Sequence, residues 1–69
     1  MKIAEYVKLR VQEGLSLTAA IEDLSTISCA GLRTVWRWHR EDKAPAAAER
    51  LMRVWAEATP EQRKKWFNS

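Results

Sequence analysis

The stretch Gly31-Leu32-Arg33-Thr34-Val35-Trp36-Arg37-Trp38-His39-Arg40-Glu41 decides how this chain is read. At about 100° per residue, Leu32, Val35 and His39 share one side of a helix, with Trp38 at its edge. Arg33, Arg37 and Arg40 gather on the opposite side, with Trp36 beside them. One face suits docking on a small core. The other presents three planar, permanently charged forks, shaped for phosphate oxygens and for the guanine edge. A surface helix with a solvated basic face has the same pattern, so the flanking residues have to decide.

Upstream, Ile3, Val7 and Val11, with Tyr6 and Leu9 alongside, recur at helical spacing and predict a helix over 2–13, closed by Gly14. Ser16 is an N-cap for a second helix, 17–24, whose inward face is Leu17, Ala20, Ile21 and Leu24. Residues 25–30, Ser-Thr-Ile-Ser-Cys-Ala, are rich in hydroxyl and β-branched side chains and are read as a turn, plugged into the core by Ile27 and Ala30. Downstream, a polar break at 41–44 precedes a fourth helix, 45–58, with Ala48, Leu51, Met52 and Trp55 on one stripe. Thr59-Pro60-Glu61-Gln62 then combines an N-cap, a proline and a reciprocal glutamine, which starts a short helix over 60–67. Leu24, Val35, Trp38, Leu51 and Trp55 are expected inside and Trp36 outside.

Sixty-nine residues with two glycines and two prolines predict one all-α domain, 1–69, of four to five short helices. A helix-turn-helix core at about 16–41 is flanked by helices at 2–13, 45–58 and 60–67. A net charge of +3 permits a nucleic-acid partner without demanding one, and Glu22, Asp23, Glu41 and Asp42 lie near the arginines. The lone Cys29 excludes an internal disulfide and, with the single His39, a structural zinc site. Cys29 and His39 lack the third partner and the glycine loop of a thiol-based catalytic site, so a non-enzyme without cofactor, metal or small-molecule substrate is expected. With no signal-like N-terminus and no apolar run of membrane-spanning length, the expected place is the cytoplasm of a bacterial host, away from membranes. Four tryptophans plus Tyr6 and Phe67 are a large aromatic load for one small core. In the segment Arg63-Lys64-Lys65-Trp66-Phe67, Trp66 or Phe67 folds back on Trp55, or the aromatic pair docks on a partner. Tyr6, Trp66 and Phe67 are therefore candidate dimer or partner contacts.

Thr34-Val35-Trp36-Arg37-Trp38 resembles the recognition helix of phage repressors. The span from Gly14 to about Trp55 also resembles a helix-turn-helix subdomain of the DNA-binding part of Mu-like phage transposases. Gly14-Leu15-Ser16, Ala20, the turn, Leu32, Thr34, Val35 and the proline-started helix carry that likeness. Gly31 departs from it, standing where that family has a capping Ser or Thr, and the binding module is expected to stand without the transposase catalytic domain. The resemblance implies a small early regulatory protein of a temperate phage, binding DNA as a homodimer to control transcription. Arg33, Thr34, Arg37 and Arg40 would enter the major groove, with Trp36 beside them and Lys43 near phosphates. The other function it implies is an anti-activator, a phage helix-turn-helix turned to grip a host protein such as a quorum-sensing regulator in a Pseudomonas-type host.

Overall fold

Local chemistry sets the helix ends. The computed structural model describes residues 1–67, the Phe67 side chain excepted. Among the described residues the chain forms five α-helices and no strand: α1 Ile3–Gln12, α2 Leu17–Ser28, α3 Leu32–Glu41, α4 Ala46–Glu57 and α5 Pro60–Phe67. Gly14, at φ 105°, ends α1 with a Schellman pair: its N–H donates to Val11 O at 3.0 Å, and Leu15 N–H donates to Arg10 O at 3.2 Å. Ser16 Oγ accepts from Ala19 N–H at 3.1 Å and opens α2. The capping box of α5 closes both ways, with Thr59 N–H donating to Gln62 Oε1 at 2.9 Å and Gln62 N–H to Thr59 Oγ1 at 3.2 Å.

Residues 25–28, expected to be a turn, are instead the last turn of α2. Their hydroxyls do not compete for backbone amides. Thr26 Oγ1 donates to Glu22 O at 3.2 Å and Ser28 Oγ to Leu24 O at 2.6 Å, one turn back along the same helix. Ser25 Oγ reaches forward to Ala30 O at 2.6 Å and ties the last turn of α2 to the residue before Gly31. The connection to α3 shrinks to Cys29, Ala30 and Gly31, the length of a tight helix-turn-helix joint. Cys29 makes the bend in the left-handed region at φ 57°, ψ 21°. Asp42 does the same after α3 at φ 52°.

Ile3, Tyr6, Val7, Ile21, Leu24, Val35, Met52 and Trp55 form the core. Leu24, Val35 and Trp55 are buried as expected. Leu51 is only half-buried, because it lies at the edge of the Ala48, Met52, Trp55 stripe. Leu17 and Leu32 are 39% and 45% exposed, each being the first residue of its helix, where no preceding turn covers it. No helix among the described residues is long and apolar enough to cross a membrane.

Around Trp55 the core becomes charged. The Arg10 guanidinium lies 4.0 Å, and that of Arg63 3.7 Å, from the indole centroid. Arg10, 6% exposed, donates to Asp23 Oδ2 at 2.5 Å. Arg63 donates to Glu13 Oε2 at 2.7 Å and, through Nε and Nη2, to the carbonyls of Trp55 and Ala56 at the end of α4. Arg10 of α1 and Arg63 of α5 thus meet on the Trp55 ring of α4, with Asp23 of α2 attached through Arg10, while Arg63 satisfies carbonyls that α4 leaves open.

The two bends make opposite predictions. A Cβ at Gly14 would meet nothing within 4 Å, so Gly14→Ala should cost about 1 kcal/mol through backbone strain alone. Cys29→Gly should raise stability by about 1 kcal/mol by relieving a left-handed non-glycine residue. Urea denaturation of both variants checks the pair, and equal signs would contradict this account of the turns.

Candidate nucleic-acid interface

The helix that carries the arginines is seated chiefly on α2. Val35 is its one fully buried side chain, and α3 packs on α2 and, less extensively, on α1. Trp36 and Trp38 lie about 100° and 60° to either side of Val35, and both rings lean half-buried on the core. The expected contrast, Trp38 inside and Trp36 outside, is therefore not found: each tryptophan buries one flank and shows the other. Trp36 stands edge-on to His39, with ring centroids 6.0 Å apart at 87°.

Opposite Val35, Arg33, Arg37 and Arg40 are exposed, and Lys43 comes just after the left-handed Asp42. None of these four cations forms an ion pair with a carboxylate among the described residues. Thr34 is half-buried at the border of the face. Arg37 and Lys43 share a shallow depression with Trp38, Glu41, Ala44 and Pro45. Of the acidic residues near the arginines, Asp23 is drawn away by Arg10, whereas Glu22, Glu41 and Asp42 remain exposed. The outer side of the helix offers cationic forks to anionic or acceptor-rich groups.

The structure adds basic residues that the sequence pattern did not single out. Arg50 and Arg53 are exposed on α4, in a shallow depression that also holds Met1, Ala46 and Glu49. Their spacing at i, i+3 was visible in the sequence, but a mixed helix of alanines and charges gave no reason to choose them. Arg10 and Arg63 go the other way. They are cations by sequence and structural elements by position.

Tyr6, expected as a partner contact, is fully buried and cannot be one. Its ring meets Trp55 edge-on at 5.5 Å and 77°. Two apolar residues on either side of α1, Leu9 at 37% and Val11 at 47%, are exposed instead. Trp66 folds half-buried onto the core and lines an open groove with Val54, Glu57, Ala58, Gln62 and Lys65. Phe67, the remaining expected contact, has its side chain outside the described residues.

The Tyr6 hydroxyl is buried without a partner of hydrogen-bonding geometry. Burial pushes its pKa up to about 12, with the nearby Arg10 charge opposing and the carboxylates of Asp23 and Glu13 assisting. Compared with protein-family models, with curated proteins and with solved structures, the chain shows no significant match.

Because Tyr6 ionises more readily in the unfolded chain than in the folded one, its contribution is intact below pH about 10 and is lost as pH rises towards about 12. Urea unfolding should lose on the order of 2 kcal/mol across that window. Tyr6→Phe should remove that part of the alkaline loss and be neutral or stabilising at pH 7, since the deleted hydroxyl is unpartnered. A variant that keeps the whole alkaline loss would contradict the assignment.

Proposed function

We propose that the chain is a non-enzymatic DNA-binding regulator of phage type that reads duplex DNA with α3. The observation that carries this reading is the exposed row Arg33, Arg37, Arg40 and Lys43, without carboxylate partners among the described residues, on a helix joined to α2 by three residues. The likeness of 14–55 to the helix-turn-helix of Mu-like transposases supports it. Arg40 and Lys43 contact phosphates, joined by the Ser16-capped N-terminus of α2, while Arg33 and Arg37 reach into the major groove. Fluorescence anisotropy with mixed-sequence duplexes tests this. The logarithm of the binding constant should fall against log salt with a slope of about −2 or steeper. The triple variant Arg33→Ala, Arg37→Ala, Arg40→Ala should melt like the parent and lose the binding. A salt-independent affinity, or none at about 50 mM salt, would contradict it.

We further propose that the chain acts as a two-fold pair, joined through the α4–α5 groove where Val54 is 53% exposed beside Trp66. In such a pair the two α3 helices would have to lie about 34 Å apart, one turn of duplex between half-sites. Sedimentation should find a species of twice 8.0 kDa, converted to the monomer by Val54→Asp. Only the monomer at tens of micromolar, roughly where weak pairs form, would exclude it.

A second reading rests on Leu17 and Leu32, exposed apolar residues that open α2 and α3 and gain nothing from phosphates. An anti-activator that grips a host quorum-sensing regulator would bury them. Binding of such a regulator that survives high salt and is abolished by Leu32→Asp would favour this reading over DNA.

A further inference from the structure

We infer that α3 is a guanine reader: Arg33 and Arg37 each take a guanine O6/N7 edge in the major groove, and their site carries guanines about two base pairs apart. This rests on the DNA-binding reading above and goes beyond it by naming the bases. In the major groove, adenine is met by the paired donor and acceptor of an Asn or Gln, and guanine by the paired donors of Arg. The chain has Gln12, Gln62 and Asn68 and no Asn or Gln between residues 16 and 45. Gln12 is on α1 and Gln62 is held in the capping box of α5, so neither belongs to α2 or α3. The reading face can offer paired donors but no amide.

Position supports the same choice. Arg33 and Arg37 are exposed and one helical turn apart, about 6 Å along the axis, close to the rise of two base pairs, about 7 Å. No carboxylate among the described residues holds either fork, so both donor pairs remain open for bidentate bonding. Arg40 lies nearer the end of α3, beside Glu41 and Asp42, and falls to the backbone with Lys43. Val35 on the buried side fixes the phase that turns both forks outward together.

Selection by the full-length protein from duplexes with a randomised centre, and then titration of the selected duplex, tests the inference. Guanines should be enriched at two positions about two base pairs apart. Replacing either one by 7-deazaguanine, which removes the N7 acceptor and keeps pairing, should weaken binding about 5- to 150-fold. Arg37→Ala should make the protein indifferent to 7-deazaguanine at one position and leave the other unchanged. Arg37→Lys should bind more weakly at that guanine while keeping the salt dependence, because a point charge replaces a fork. Salt-dependent binding with no guanine enrichment and no response to 7-deazaguanine would overturn the inference and leave the DNA reading standing. Absence of salt-dependent binding to any duplex would overturn both.

Discussion

Two guanidiniums resting on the indole of Trp55 tie four of the five helices of this small fold to one another. Arg10 arrives from α1 and is fastened to Asp23 on α2, while Arg63 arrives from α5, is fastened to Glu13 and closes the carbonyl end of α4. A domain of this size has few large side chains to bury, and each cation on an indole contributes about 0.5–2 kcal/mol, more as water is excluded. The arrangement carries a cost. Arg10 Nε and Nη1 and Trp55 Nε1 are buried without hydrogen-bond partners, and the ring face compensates the cation only in part. Removing Asp23 would leave the buried Arg10 charge only the longer contact to Glu13 at 3.7 Å and the ring face of Trp55.

This network determines where charge is available. Two of the seven arginines serve the interior, and the same contacts neutralise Asp23 and Glu13. The remaining arginines lie in two groups, three on the outer side of α3 and two on α4, all exposed. α3 stands outside the network, seated by Val35 with its tryptophans as flanks, so its outer face carries no structural duty. With a net charge of +3, the whole-molecule field is modest, and the DNA-binding proposal therefore rests on the placed forks of one helix.

Features decided within four residues were legible in the sequence. The glycine that closes α1, the Ser16 cap, the Thr59–Gln62 box and the bounds of α3 arise from local hydrogen-bonding chemistry. Segment 25–28 was misread because Ser and Thr can bond either to a turn or back into a helix, and here the packing of Leu24 and Ile27 favoured the helix. The network on Trp55 was not legible. Arg63 and Glu13 are 50 residues apart, and nothing local distinguishes Arg63 from the exposed Lys64 and Lys65 beside it. Tyr6 looked available to a partner for the same reason, since its burial depends on Trp55 and not on α1 alone. The arginine face was legible because opposition to Val35 is a matter of helical phase. The two tryptophans were not, because a ring at 60° or 100° from the buried line can rest on the core either way.

The arginines divide into a structural pair, Arg10 and Arg63, and an outward-facing set, of which those on α3 are proposed to read DNA. The most direct measurement is a titration of duplex DNA into the isotope-labelled full chain, tracking backbone amides and arginine Nε–H signals by NMR. The Nε–H signals of Arg33, Arg37 and Arg40 and the amides of α3 should shift, while those of Arg10 and Arg63 keep their positions. Shifts confined to Arg50 and Arg53 on α4, or displacement of the Arg10 and Arg63 signals with α3 unmoved, would contradict this division.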